Sequence, residues 1–388
     1  MRLTRREWML GVGAALMPIG CSRGRPMSTA PGGDGDAVSR FPGKVAMRLI
    51  NDRPPCLETP WRYFQSDLTP NEAFYVRWHL GILPTRVDVA EYRLSVGGHV
   101  NTPVKFSLDE LKKNFEPVSV VAVNQCSGNS RSLYEPRMPG VQWSNKAIGN
   151  AKWTGVRLKD LLAKAGVKAG AVEVTFGGLD GPTLPKTGNF AGTPDFVKSL
   201  PVDRASDGEV IVAYAMNDKP LPMLNGFPVR LIVPGWYATY WVKALDEITV
   251  LDKPFDGFWM AKAYRVPKTP DAQESPKDLA KDTVPITTMS CRSLFVAPEP
   301  GEALKAGAEY EVQGLAIDGG KTWAETKLDP EIGKYSWRRW RHAWKPAAGT
   351  HKLMVKATNA AGQTQTTHQW NRSGYARNVI ESLEVTVS

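Results

Sequence analysis

Proline and glycine punctuate this chain from end to end, thirty of the one and thirty-five of the other in 388 residues. Proline removes a backbone donor and breaks a helix interior, while glycine loses more conformational freedom on ordering than any other residue. Spread in this way they favour many short strands, turns and a few brief helices over a long helical bundle. The length is enough for two domains and a substantial core. Hydrophobic residues at 42% and charged residues at 23% are those of a globular chain, which excludes a disordered or membrane-embedded one.

Between these punctuation marks a few segments have clear periods. Residues 119–123 and 229–233 are short apolar runs, the second bounded by Pro228 and Pro234, and they predict buried strands feeding loops at a functional edge. Leu158–Ala165 predicts a helix ended by Gly166. Later, Tyr310–Ile317, 352–358 and 383–387 predict further strands, with Asp318-Gly319-Gly320 as a turn ahead of Thr322-Trp323. Short strands, regular turns and almost no helix predict a small β-sandwich at the C-terminal end. The expected division is a leader over 1–27, a flexible Gly/Pro/Ser/Asp-rich tether over 28–45 and a first domain over 46–265. A proline-rich linker over 266–285 and a second domain over 286–388 follow.

The leader reading rests on Thr4-Arg5-Arg6-Glu7-Trp8-Met9-Leu10, which has the form of a twin-arginine export motif, and on the apolar run 11–19 behind it. That run is too short to span a bilayer of roughly 30 Å as a helix. Twin-arginine export carries folded, cofactor-loaded proteins, so the expectation is a periplasmic protein. Cys21 leaves room for a lipid anchor, although Pro18 stands where a lipoprotein signal would have leucine. Of the net charge of +10, +4 belongs to residues 1–27, leaving +6 for the rest. This suits an anionic substrate or an acidic partner, and no stripe of basic and aromatic residues points to nucleic acid.

Four cysteines stand at positions 21, 56, 126 and 291, with no CxxC or CxxCH spacing. That argues against a covalently attached haem in this chain and against a structural zinc. Once Cys21 leaves with a leader, Cys56 and Cys291 are candidates for a disulfide. Cys126 is different, because Asn124-Gln125-Cys126-Ser127-Gly128-Asn129-Ser130-Arg131 follows a predicted buried strand with small, turn-forming residues. Such a loop lets a bulky ligand approach closely, and Arg131 favours the thiolate that a soft metal needs. Composition alone would make a buried cysteine an inert small hydrophobe.

That loop does not stand by itself. Together with Phe74-Tyr75-Val76-Arg77-Trp78-His79, the stretch Ala147 to Val156, Ala213-Tyr214-Ala215-Met216-Asn217, Gly226-Phe227-Pro228-Val229-Arg230 and Val233-Pro234-Gly235, it resembles the sulfite oxidase family. The loop and the segment Pro234 to Lys243 are most similar to the bacterial periplasmic sulfite dehydrogenases. The resemblance implies an α+β fold, with a mixed, β-rich molybdopterin-binding domain of sulfite-oxidase type followed by an immunoglobulin-like β-sandwich used for dimerisation. It implies a molybdenum-molybdopterin cofactor with Cys126 as the protein ligand to the metal. Arg77, His79, Asp180, Asn225, Arg230 and Lys243 match cofactor-contact positions, Asn225 replacing the histidine of animal and plant relatives. Arg131 and Trp143 match positions beside the pocket, Tyr264 an active-site tyrosine, and Arg372 a second substrate arginine from the C-terminal domain.

Sulfite is a small oxyanion, and guanidinium groups offer it fixed forks of donors that stay charged. Oxygen transfer would belong to the metal group, and positioning, charge and desolvation to the protein. With no haem expected here, the electrons would pass to an external c-type cytochrome, in a homodimer or in a heterodimer with that cytochrome. The alternatives are a sulfur dehydrogenase subunit, a methionine sulfoxide reductase, a nitrate reductase core, or a metal-free exported binding protein. The C-terminal β domain counts against the methionine sulfoxide reductase.

Overall fold

The strand that delivers Cys126 is the end strand of a five-stranded sheet, and its last four residues are buried. The computed structural model describes residues 38–181, 194–317, 321–322 and 327–388. The expected leader, Cys21, residues 28–37 of the tether, the turn at 318–320 and Trp323 lie outside the described residues. Val118–Gln125 runs antiparallel to Ile148–Arg157, from Val118 opposite Gly155 to Gln125 opposite Ile148. Ile211–Met216 pairs with the other edge of Ile148–Arg157, and Arg230–Ile232 pairs with Ile211–Met216 in turn. Ala122, Val123, Ala151, Val212 and Leu231 are wholly buried in one continuous core. Apolar runs with no polar face are what a strand covered on both sides requires.

A second five-stranded sheet is ordered Lys198–Pro201, Glu173–Gly178, Leu245–Leu251, Leu94–Gly98, Val104–Phe106. The helix Leu158–Ala165 has the expected bounds: Leu158, Leu161, Leu162 and Ala165 are buried along one face. Gly166 ends it at φ 70°, its N–H donating to Leu162 and Ala163 carbonyls, a left-handed cap that glycine adopts without a Cβ penalty. A second helix, Leu108–Asn114, starts on a capping box between Ser107 and Glu110. The chain is thus β-rich α+β, and among the described residues no helix is long and apolar enough to cross a membrane.

Two segments expected to be loose are held down. Of the tether, Val38–Ser39 pairs with Met47–Asp52, and the half-buried Lys44 side chain makes three hydrogen bonds through its ammonium. A basic residue in a Gly/Pro-rich stretch reads as solvated, and only the carbonyls gathered around its ammonium make burial tolerable. In the expected linker, Arg265–Pro267 pairs with Thr283–Pro285, and the Glu274 N–H donates to the Trp370 carbonyl at 2.8 Å.

The C-terminal β unit packs with both faces of one sheet. Along Arg292–Ala297 and Tyr310–Ile317, Leu294, Val296, Leu315 and Ile317 join the main core. Phe295, Val312 and Ala316, on the alternate positions, join a smaller core with Trp340, Leu383 and Val385. The segment before Arg338–Trp344 also reaches the Cys126 strand, where the Val123 N–H donates to the Tyr335 carbonyl at 2.9 Å. Cys56, Cys126 and Cys291 are all buried, and none forms a disulfide, so the candidate pairing of Cys56 with Cys291 is not made.

Candidate active site

Cys126 stands where two clefts meet. The inner one is lined by Tyr75, Arg77, His79, Asn124, Cys126, Ser127, Asn225, Arg230, Thr239, Lys243 and Tyr264, with Leu224 and Ala238 as its apolar patches. The outer one shares Arg77, Cys126 and Tyr264 and adds Arg131, Trp143, Lys262, Arg265, Arg372, Tyr375 and small residues around them. Alternation explains much of the lining. Tyr75, Arg77 and His79 are alternate residues about the short strand Val76–Arg77, as are Asn124 and Cys126 at the end of Val118–Gln125. Tyr75 and Asn124 were not picked out from the sequence, and this period of two is the signal that could have found them. Their side chains meet, Tyr75 donating to Asn124 Oδ1 at 2.5 Å.

The cysteine loop is fastened on two sides. Cys126 N–H donates to the Ala147 carbonyl at 3.0 Å, and Ser130 N–H to the Ser144 carbonyl at 2.8 Å, with Ser130 in the left-handed region at φ 71°. From the C-terminal unit, Ala376 N–H donates to the Ser127 carbonyl at 3.1 Å. Arg131 bridges both sides, donating to the carbonyls of Val141 and Ser373, each at 3.1 Å, with its guanidinium over the Tyr375 ring. Glycine makes this arginine fit: a Cβ on Gly128 or on Gly140 would lie 2.7 Å from its terminal nitrogens.

Around Tyr264 the packing is aromatic. Its ring stacks on Tyr375 at 5.2 Å, and its hydroxyl shares a hydrogen bond with His79 Nε2. Tyr264 has φ 55°, an uncommon conformation for a bulky residue and one that clusters at functional sites. Burial raises the Tyr264 hydroxyl pKa, and burial with the nearby Arg77, Lys243 and Lys198 charges holds the His79 pKa well below its usual value. His79 is therefore neutral. Lys198, absent from the sequence reading, lies 5.3 Å from the Tyr264 ring and donates to the Trp259 carbonyl at 2.7 Å. Burial brings its pKa down to about 7.

The inner cleft carries three cationic side chains, Arg77, Arg230 and Lys243, and no carboxylate among its lining residues. Burial lowers the Arg230 pKa to about 10, and burial followed by the Arg230 charge lowers that of Lys243. Asp180 is placed beside Lys243 and off the lining, its pKa raised by burial against the pull of that ammonium. Asn225 also lines the cleft; its Oδ1 accepts from Lys44 and its Nδ2 gives one of its two hydrogens to the Tyr75 carbonyl. Arg372 reaches the outer cleft with its guanidinium already committed: its Nε donates to Glu274 at 2.9 and 3.0 Å, and a terminal nitrogen to the Ala280 carbonyl at 2.6 Å. Glu274 sits in the expected linker, and no local pattern marks it as that partner.

This composition fits a large anionic group rich in acceptors. Polar atoms of cleft-lining residues, His79 Nδ1, Asn124 Nδ2, Ser127 Oγ, Arg230 Nε and Thr239 Oγ1, are buried with no partner among the described residues. Each such atom costs about 1–3 kcal/mol, a penalty that a bound acceptor removes. Among the described residues no three His, Cys, Asp or Glu side chains gather to hold a metal ion. A metal at Cys126 therefore needs further ligands from a partner group, and a pterin dithiolene is such a group.

Comparison with known proteins points the same way. Residues 79–259 match the family described as the oxidoreductase molybdopterin binding domain. The chain is 32% identical over 375 residues to human mitochondrial sulfite oxidase, an alignment that takes in 88% of this chain and 66% of that protein. It thus spans just under two thirds of the human relative's length. To sulfite oxidase from Gallus gallus it is 31% identical over 354 residues, 84% of this chain and 73% of the other. The fold is shared with the sulfane dehydrogenase SoxCD from Paracoccus pantotrophus, with a TM-score of 0.72 at 21% identity, covering 98% of this chain and 94% of that one.

Proposed function

Because the chain belongs to the sulfite oxidase family, with the molybdopterin-binding oxidoreductase domain of that family, we propose that it oxidises sulfite to sulfate and passes the electrons to an external c-type cytochrome. The observation that carries this reading is the meeting of a donor-rich cationic cleft and an arginine-walled outer cleft at one cysteine. Cys126 would hold the metal. Arg77, His79, Arg230, Lys243, Asn124 and Thr239 would hold the pterin and its phosphate, with Asp180 tempering the Lys243 charge. When bound, the molybdenum-molybdopterin group supplies oxygen-atom transfer and a sink for two electrons.

The rest is the work of side chains. Arg77 and Arg131 draw the oxyanion toward Cys126, because buried guanidinium groups replace lost hydration with charge-assisted hydrogen bonds. Arg372, held by Glu274, adds field at the rim. Neutral His79 shares a hydrogen bond between its Nε2 and the Tyr264 hydroxyl, which sets the hydroxyl's direction beside the substrate. Trp143 and Tyr375 wall off water and so strengthen each of these contacts. Residues 1–27 support a periplasmic location by twin-arginine export, where a soluble cytochrome acceptor is at hand.

Purified protein is expected to contain molybdenum and a pterin in equal amounts and to reduce cytochrome c in the presence of sulfite. Metal analysis, pterin fluorescence and initial rates with sulfite, thiosulfate and nitrate test this. Turnover of thiosulfate or nitrate with none of sulfite would move the chain to a sulfur dehydrogenase or nitrate reductase role. Absence of molybdenum and pterin would overturn the cofactor assignment itself.

A further inference from the structure

The Lys44 ammonium is enclosed in a place where no bound group would touch it. It donates to the Asn71 carbonyl at 2.7 Å, the Phe74 carbonyl at 2.9 Å and Asn225 Oδ1 at 2.5 Å, which uses all three of its hydrogens. The segment that carries it is pinned on both sides of the lysine, Lys44 N–H to the Phe41 carbonyl and Val45 N–H to the Glu72 carbonyl. Phe41 and Val45 pack onto a small core of Met47, Leu57, Val76 and Trp78, the strand residue before Arg77 among them.

We propose that Lys44 is a positioning residue for the cofactor, acting through Asn225. An amide side chain can present either an acceptor or a donor, and nothing in its own shape decides which. Here Oδ1 faces an ammonium, so a flip would set an NH2 group against an NH3+ group. Nδ2 gives one hydrogen to the Tyr75 carbonyl at 3.2 Å and keeps the other. Asn225, 2% exposed on the wall of the inner cleft, can therefore only donate toward a bound group. That is the role wanted beside a phosphate or a pterin carbonyl. The ammonium also polarises the amide and makes its remaining N–H a stronger donor.

This inference rests on the cofactor reading above, and its test reads cofactor retention, not turnover. Full-length wild type, Lys44→Met, Asn225→Ala, the double variant and Asn225→Asp would be purified and assayed for molybdenum and pterin per chain. The rate of cofactor loss on warming and the melting temperature of the apoprotein would be followed alongside. Loss of one charge-assisted hydrogen bond corresponds to roughly tenfold, so Lys44→Met and Asn225→Ala should each speed cofactor loss by about that factor. The double variant should be no faster than the faster single one, since both changes remove the same contact. Asn225→Asp keeps an ion-pair partner for Lys44 but loses the donor both to the Tyr75 carbonyl and to a bound group, so it should lose cofactor faster than wild type, and the apoprotein melt reports separately the cost of the lost Tyr75 contact. That arm holds even where Lys44→Met fails to fold. Effects that multiply in the double variant, or an Asn225→Asp protein that retains cofactor like wild type, would overturn the Lys44 role alone. A wild type devoid of molybdenum and pterin would overturn the cofactor reading and this inference with it.

Discussion

The inner and outer clefts share Arg77, Cys126 and Tyr264, yet they differ in how many of their polar groups already have partners. In the inner cleft, donors such as Asn124 Nδ2 and Thr239 Oγ1 are buried without partners. In the outer cleft, Arg131 gives both terminal nitrogens to backbone carbonyls and leaves only Nε without a partner among the described residues, while Arg372 is held by a carboxylate. A wall of unsatisfied donors is tolerable only if a resident group completes it, so the inner cleft is built for a ligand that stays. Groups already paired can exchange a small oxyanion without a large cost at each turnover, which suits the outer cleft to substrate and product.

The residue common to both clefts should break the comparison most severely. Cys126→Ser is expected to abolish sulfite oxidation while much of the pterin remains bound, because the inner donors are intact. Steady-state rates with molybdenum and pterin assays on the same sample would check this, and wild-type turnover in the variant would remove Cys126 as the metal ligand. The next effect separates the two outer arginines. Charge-assisted contacts are worth about 1.5–3 kcal/mol, so Arg131→Gln should lower kcat/KM for sulfite by about ten- to a hundredfold. Arg372→Gln should cost less than about fivefold, because its charge is already answered by Glu274. Both rates are to be normalised to molybdenum content, and equal losses would mean that Arg372 leaves Glu274 when substrate binds.

The smallest effect concerns the seam that holds the C-terminal unit against the Cys126 strand. Burial would raise the Glu209 carboxyl, but hydrogen bonds from Lys334, Tyr335 and Arg204 outweigh it and hold the pKa at about 2, against an ordinary 4.5. A depressed folded-state pKa stabilises the fold above the ordinary value, and that stability is lost as pH falls through the folded one. The melting temperature of wild type should therefore drop further between pH 5 and pH 2.5 than that of Glu209→Gln. Parallel thermal melts across that window would show it, and identical slopes would remove Glu209 as the acid-sensitive contact.

The helix Leu158–Ala165 and the strands around 119–123, 229–233 and 310–317 were legible because their signals are local: apolar spacing, a glycine stop, a proline on either side. Cys126 and the residues matched by resemblance could be named for the same reason, since each lies in a short motif. Other features left no local mark. Lys44 sits in a stretch whose composition reads as tether, and Glu274 in one that reads as linker, yet the Lys44 ammonium is bound by Asn71, Phe74 and Asn225, and Glu274 is buried against Arg372. Asn225 was expected to donate to the cofactor, but which end of its amide it offers depends on a lysine 181 positions away.

Chain order thus determined the kinds of groups available and the short elements that carry them, because backbone preferences and apolar periods act over a few residues. It determined that Tyr75, Arg77 and His79 would share a face, as would Asn124 and Cys126. Tertiary structure decided which of these faces meet, bringing residues 77, 230, 264 and 372 around Cys126. It also decided which charges remain available there: Arg372 is answered by Glu274, while Arg230 and Lys243 face the inner cleft with no acid among its lining residues. The reason is that hydrogen bonds and ion pairs depend on separations of about 3 Å between atoms, and no repeat along a sequence encodes such a distance between remote segments.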